Sequence, residues 1–266
     1  MTQAERRLYL IRSLLNEKTE YQSLNVPRDA GEQRKLLRSL MNVRMPKVAD
    51  KTFLRVQDEY LQQELADEGI TDLDDLRPVS GDLYLWQGDI TRLKCGAIVN
   101  AANSGMTGCY IPCHACIDNC IHTFAGVQLR QDCAALMAEQ GHEEQTGQAK
   151  ITKAYNLPCD YVLHTVGPIV SGRVTREDER LLASCYRFCL ELAEKNSVRS
   201  IAFCCISTGV FHFPNERAAE IAVETVRRYK VETGSKIKVV FNVFKDLDKT
   251  IYERLLGANC APAARA

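Results

Sequence analysis

The sequence predicts a three-layer α/β domain preceded by a helical extension. Residues 1 to about 75 repeat apolar side chains at helical spacing and contain no strand-like run. From about residue 80 onward, short apolar runs alternate with amphipathic helical stretches, the pattern of a sheet covered by helices on both faces. We therefore expect a helical extension over residues 1–75 packed on a main domain over 76–257, and a flexible tail over 258–266.

The elements follow in order along the chain. The helical repeats of the extension are Leu8, Ile11, Leu14 and Leu15, then Leu36, Leu37, Leu40 and Met41, and then residues 53–65. The expected buried strands are residues 83–86, 97–99, 161–163, 201–203 and 239–244. One helix follows Thr175 and Asp178, which are spaced as in a capping box, and another begins near Pro214.

Composition excludes several classes of function. The 266 residues are 45% hydrophobic and 26% charged, and 34 basic residues balance 34 acidic ones, which argues against generic binding to nucleic acids or membrane surfaces. No run approaches the ~20 apolar residues of a membrane helix, and the first residues have no signal-peptide core. We expect a cytoplasmic protein with reduced cysteines, and a monomer, since no apolar interface pattern stands out.

Residues 108–122 contain many side chains that can bind a metal ion. This segment, G-C-Y-I-P-C-H-A-C-I-D-N-C-I-H, contains four cysteines, two histidines and one aspartate. In a chain without signs of secretion, thiolates and imidazoles so close together indicate zinc rather than disulfides.

Three separated segments carry a resemblance to one family. They are G-D-I-T (88–91) followed by V-N-A-A-N (99–103), the cysteine and histidine segment, and S-T-G-V-F-H-F-P (207–214). Together they resemble the macrodomain family, and the middle one resembles its zinc-dependent bacterial branch, whose members remove ADP-ribose from proteins. The resemblance covers about residues 80–257 and implies a mixed, mostly parallel central sheet between helices; residues 1–75 are similar to that branch's N-terminal extension.

The resemblance implies an ADP-ribose site. Asp89 and Ile90 would hold the adenine and Asn103 the distal ribose, and a glycine-containing loop before a helix suits a diphosphate. The ADP-ribose-binding residues expected are Asp89, Ile90, Asn103, Ile117, Asp118, Ser207, Thr208, Gly209, Val210 and Phe211. The alternatives are ordinary turn roles: a solvated aspartate, asparagines that bond the local backbone, and a plain loop between strand and helix. Asn242 and Phe244 are further candidates beside the adenine, although Phe244 also suits a core position.

The resemblance also implies one zinc ion, bound by Cys109, His114 and Cys116. Three ligands leave a fourth position open, as catalytic zinc requires. Cys113, Cys120 and His122 are spare, and any of them as a fourth ligand would make the site structural. Asp118 and Asn103 are the candidate catalytic residues; Asp118 would bond the distal ribose or orient a water, or it would only cap the following helix.

The implied activity is zinc-dependent hydrolysis that removes mono-ADP-ribose from modified proteins and releases free ADP-ribose. Zinc would either polarise an oxygen at the scissile linkage or activate a water, and two thiolate ligands favour the first role. Two alternatives remain: a reader that binds ADP-ribose around a structural zinc, and a hydrolase of small ADP-ribose esters or phosphates.

Overall fold

The computed structural model describes residues 1–257, so the predicted tail over 258–266 lies outside the described residues. Eight helices are described: α1 Gln3–Leu15, α2 Ala30–Val43, α3 Lys51–Glu68, α4 Ile117–Ala125, α5 Val127–Gln140, α6 Arg176–Lys195, α7 Asn215–Thr233 and α8 Asp246–Gly257. The strands are β1 Thr71–Asp72, β2 Leu83–Gln87, β3 Leu93–Lys94, β4 Ala97–Ala102, β5 Ala149–Lys153, β6 Tyr161–Val166, β7 Ser200–Phe203 and β8 Lys238–Val243. No helix among these residues is both long and apolar enough to cross a bilayer.

A six-stranded sheet in the order β2-β8-β7-β4-β6-β5 forms the centre of the main domain. All its pairings are parallel except that of β5 with β6, which is antiparallel. The expected mixed, mostly parallel sheet between helices is confirmed, and each apolar run that predicted a strand contributes to one. Because the parallel strands point the same way, their carboxyl ends meet at one edge, where open α/β sheets bind ligands.

Besides the two-residue strand β3, three elements of the main domain escaped the sequence prediction. Strand β5 is a five-residue edge strand, A-K-I-T-K, with only Thr152 buried, so it lacks the apolar run of a central strand. Helix α5 has polar residues on most of its surface and therefore no clear apolar stripe. Helix α8 begins at Asp246, directly after β8, without a break in the sequence that would mark it.

The first three helices form a bundle with its own apolar core. Each begins at an N-cap residue: Thr2 and Glu5 make a capping box, and Asp29 and Asp50 cap α2 and α3. The core consists of Leu10, Ile11, Leu14, Leu15, Leu37, Leu40, Met41, Phe53, Val56, Tyr60 and Leu61, joined by Val127 of α5. Burying each large side chain contributes about 1.5–3 kcal/mol, so the bundle is held by packing between helices and against α5.

Candidate active site at the carboxyl edge of the sheet

The segment between β4 and α4 brings three metal-ligating side chains together. The ligand atoms of Cys109, His114 and Cys116 lie within 4.8 Å of one another, and Cys109 Sγ is 3.7 Å from His114 Nδ1. A tetrahedral ion with Zn–S of about 2.3 Å and Zn–N of about 2.0 Å separates sulfur and nitrogen ligands by about 3.5 Å. Two thiols and one imidazole at these separations fit zinc.

The spare cysteines and histidine lie elsewhere. Cys113 Sγ contacts helix α2, at 3.2 Å from Ser39 Oγ, and Cys120 Sγ is 3.5 Å from an Arg38 nitrogen. His122 lies buried in α4 against Gly108, whose φ of +83° and close contact with the imidazole leave no room for a Cβ. Among the described residues, no fourth cysteine, histidine or carboxylate joins the three.

Asp118 is a buried carboxylate two residues beyond the last of these ligands. Its Oδ1 accepts a hydrogen bond from Asn100 Nδ2 at 2.8 Å, and its Oδ2 accepts one from Asn103 Nδ2 at 3.3 Å. Burial raises the pKa of Asp118 to about 6. The hydrogen bond from Asn100, the positive charge of Arg130 and the hydrogen bond from Asn103 act in the opposite direction and lower the pKa. The carboxyl group therefore titrates close to neutral pH.

The cap of helix α4 is not Asp118. Cys116 is the N-cap residue, and its Sγ accepts from the Asn119 N–H at 3.4 Å. Asp118 is the second helical residue, and its side chain points to Asn100 and Asn103. The capping role considered for Asp118 is thus filled by Cys116, a candidate zinc ligand. The Asp118 carboxylate instead forms a polar network with Asn100 and Asn103.

The two asparagines of V-N-A-A-N differ in environment. Asn100 is fully buried, and besides Asp118 it contacts His164 Nδ1 at 3.1 Å, while its Oδ1 has no partner among the described residues. Asn103 is half-buried; its Oδ1 accepts from the Gly105 N–H, and its Nδ2 also donates to the Gly108 carbonyl at 3.2 Å. Asn103 therefore bonds the local backbone, as the alternative of a turn asparagine predicts, and it also contacts Asp118.

A second group of ligand-type side chains lies deeper in the protein: His122, Cys133 and His164, all buried. Burial lowers the pKa of His164 to about 4, so its imidazole is neutral. Its Nδ1 faces Asn100 Nδ2, and its Nε2 lies 2.9 Å from Thr152 Oγ1. Hydrogen bonds thus satisfy both nitrogens of His164, which joins a polar network with Asn100 and Thr152. The nitrogens of His122, by contrast, have no hydrogen-bond partner among the described residues.

The G-D-I-T segment forms a turn after β2. Asp89 Oδ1 accepts from the Thr91 N–H at 2.9 Å and the Thr91 hydroxyl at 2.7 Å, while Oδ2 accepts no bond from the part of the chain that is described. Ile90 is buried. Asn242 of β8 donates to the Gly88 carbonyl at 2.9 Å, which joins this turn to the neighbouring strand.

The loop of residues 207–211 follows β7. Within residues 1–257, the N–H groups of Gly209, Val210 and Phe211 donate to no protein acceptor, and helix α7 begins at Asn215 without a side-chain cap. Ser207 has a φ of +64°, unusual for a residue other than glycine, and its buried Oγ packs against Gly167, where a Cβ would collide with it. Free N–H groups before a helix suit an anion such as a diphosphate.

Comparisons with known proteins place the chain among relatives of one family. The sequence pattern of the Macro domain family matches residues 99–222. A protein-ADP-ribose hydrolase of Treponema medium is 62% identical over 260 residues, which cover 96% of this chain and 100% of that relative. This chain belongs to the macrodomain family.

Further relatives of this macrodomain cover nearly as much of it. A protein-ADP-ribose hydrolase of Staphylococcus aureus (strain MSSA476) is 50% identical over 247 residues, or 92% of each chain. The crystal structure of the Trypanosoma brucei macrodomain in complex with ADP-ribose matches with a TM-score of 0.65 at 31% identity, covering 83% of this chain and 95% of that one. The resemblance inferred from the motifs is confirmed at the level of the family.

The macrodomain fold brings most of the predicted residues to one edge. Asn103, the ligand group and residues 207–211 follow the adjacent strands β4 and β7, and Asp89 follows β2 two strands away. Phe244, for which the sequence left open a place beside the adenine or in the core, is 76% exposed just after β8, so the core alternative is wrong. Sequence reasoning missed His164, whose only signal is a histidine inside a buried strand, and it missed Arg38, Asn42 and Arg130, which carry no motif.

Proposed function

We propose that this macrodomain is a zinc-dependent hydrolase that removes mono-ADP-ribose from modified proteins and so reverses ADP-ribosylation. The observation that supports this most is the placement of Cys109, His114 and Cys116 beside the buried Asp118. A domain that only bound ADP-ribose would not need an open set of three metal ligands next to a buried carboxyl group. The names of the T. medium and S. aureus relatives support the same activity.

The proposal includes several finer points. One zinc ion per chain is bound by the three ligands, the substrate is an ADP-ribosylated protein, and free ADP-ribose is the product. The bond cleaved is a glycosidic or ester linkage at the distal ribose. The protein acts as a cytoplasmic monomer, and its main domain spans residues 76–257 behind the helical extension of 1–75.

Each part of the site has a task in this mechanism. Asp89 Oδ2 accepts from the adenine amine, and the N–H groups of Gly209, Val210 and Phe211 donate to the diphosphate. Asn103, which directly follows the strand that carries Asn100, faces the distal ribose. When bound, zinc supplies a Lewis acid at the scissile linkage. The Asp118 carboxylate, held by both asparagines, accepts a hydrogen bond from a ribose hydroxyl or the attacking water and orients it.

The test of the proposal is a paired measurement on purified protein. We expect elemental analysis to find one zinc per chain and chelation to stop the release of ADP-ribose from a mono-ADP-ribosylated protein while circular dichroism shows the fold intact. Tight binding of ADP-ribose without release, with or without metal, would instead identify a reader. Release of ADP-ribose from small esters but not from modified proteins would identify a hydrolase of small ADP-ribose esters.

Asp89→Asn tests adenine recognition with the turn intact. The asparagine Oδ1 can still accept from the Thr91 N–H, but its amide nitrogen replaces the acceptor that faces adenine. A hydrogen bond to a charged group contributes roughly 1.5–3 kcal/mol, so we expect the Kd for ADP-ribose, measured by calorimetry, to rise about 10- to 100-fold. Asp82→Asn, at the other end of β2, is the control and should leave the Kd unchanged. Equal affinities of Asp89→Asn and wild type would assign Asp89 to the turn alone.

A further inference from the structure

The segment that carries the ligands is poorly held by its own hydrogen bonds. Between Cys109 and Cys116 the structure shows one internal backbone bond, from the His114 N–H to the Ile111 carbonyl at 3.2 Å. Cys113, next to the central ligand, has a φ of +53°, a left-handed conformation that costs a residue with a side chain roughly 1–2 kcal/mol. Ile111 is 59% exposed, so packing does not fix the segment either. Its shape must come from neighbouring elements.

Helix α2 of the N-terminal bundle supplies two of these contacts. Asn42 is 1% exposed; its Oδ1 accepts from the Cys113 N–H at 2.9 Å, and its Nδ2 donates to Thr123 Oγ1 of α4 at 2.8 Å. One turn earlier, Arg38 Nη2 donates to the His114 carbonyl at 2.8 Å and to Asn119 Oδ1 at 3.0 Å. The two side chains thus bond the N–H of the residue before His114 and the carbonyl of His114 itself.

Arg130 links the end of α2 to the first ligand. Its Nη1 donates to the carbonyls of Asn42 at 2.6 Å and Arg44 at 2.7 Å, and its Nη2 reaches the Cys109 carbonyl at 3.4 Å. The guanidinium also lies over the Tyr110 ring, 4.3 Å from its centroid. Arg130 is 5% exposed, so these bonds are shielded from water. Movement of α2 would therefore be transmitted to both Cys109 and His114.

We propose that the N-terminal bundle is a positioning element for the metal site and that Asn42 is its principal positioning residue. The inference rests on the proposed zinc site. By holding the Cys113 N–H, Asn42 keeps the strained turn that directs the His114 imidazole towards Cys109. Groups that orient metal ligands from behind typically change metal affinity 10- to 100-fold when they are removed. The extension then affects activity through the ligands, without touching substrate.

The test compares two buried, hydrogen-bonded residues of α2 in the full-length protein. Asn42→Ala removes the bond to Cys113, whereas Gln33→Ala removes bonds to Arg7 and the Pro27 carbonyl, away from the ligand segment. Zinc Kd is measured by competition with a chromogenic chelator, ADP-ribose Kd by calorimetry, and Tm by calorimetric unfolding. We expect Asn42→Ala to raise the zinc Kd 10- to 100-fold and to change the ADP-ribose Kd less than threefold. Gln33→Ala should lower Tm and leave the zinc Kd unchanged.

Two results would overturn the inference. One is a zinc Kd for Asn42→Ala equal to that of wild type; the other is an equal rise in both variants, which would make the effect one of general stability. If Asn42→Ala does not fold, Arg38→Ala replaces it in the test, because Arg38 is only half-buried and its loss is easier to tolerate. An unchanged zinc Kd in Arg38→Ala would likewise overturn the inference. A wild-type protein that binds no zinc would overturn the proposed function itself, which separates the two failures.

Discussion

Cys116→Ala should abolish turnover and leave the protein without stoichiometric zinc. Cys116 supplies one of only two thiols in the ligand group, and it also caps α4 through the Asn119 N–H. A bound metal contributes several kcal/mol to transition-state stabilisation, so we expect the rate of ADP-ribose release to fall at least about 10³-fold. The measurement is single-turnover release from a mono-ADP-ribosylated protein, with zinc counted in the same sample.

Cys113→Ala is the matched control for this change. It removes a thiol from the same segment, three residues away, but one that faces Ser39 and Lys35 of α2. It also keeps the N–H of residue 113, which donates to Asn42 Oδ1. Activity and zinc content should stay close to wild type. Wild-type hydrolysis by Cys116→Ala would remove zinc from the mechanism, and an equal loss in both variants would point to damage of the segment as a whole.

Asp118→Asn should have the second largest effect, on kcat and with zinc retained. An asparagine has the same shape, but it replaces one acceptor oxygen by a donor that faces the amide of Asn100 or Asn103. It also removes the charge that would orient a water or a ribose hydroxyl. Positioned acid–base groups contribute typically 10²- to 10⁴-fold, and we expect a loss of kcat in that range in steady-state assays.

Asp58→Asn is the control for Asp118→Asn, because it also removes a carboxylate that accepts hydrogen bonds from side-chain amides. Asp58 of α3 accepts from Gln128 Nε2 at 2.9 Å and Asn156 Nδ2 at 2.8 Å, far from the ligand segment in the chain. It should lower Tm without lowering kcat. If Asp118→Asn behaved like Asp58→Asn, the role of Asp118 would be structural. A rise in KM alone would assign it to binding of the ribose.

Local signals in the sequence predicted the framework well. Apolar runs marked the central strands because a strand covered on both faces must be apolar throughout. The capping box of Thr175 and Asp178 marked the start of α6 because it satisfies free backbone N–H groups. The edge strand β5 and helix α5 were missed because each buries little of its surface and leaves a weak pattern. The sequence also left Phe244 between a core position and a place beside the adenine, and its exposure in the structure excludes the core position.

What the sequence determined by itself is the composition of the site: a compact ligand set, two asparagines at the end of one strand and a glycine loop after another. Their meeting at one edge already follows from parallel strands. Only the tertiary structure decided that Asp118 bonds Asn100 and Asn103 while Cys116 caps the helix, and that Asn42 reaches Cys113 across 71 positions of the chain. Such contacts depend on how distant helices pack, and no periodicity or spacing within one segment records them.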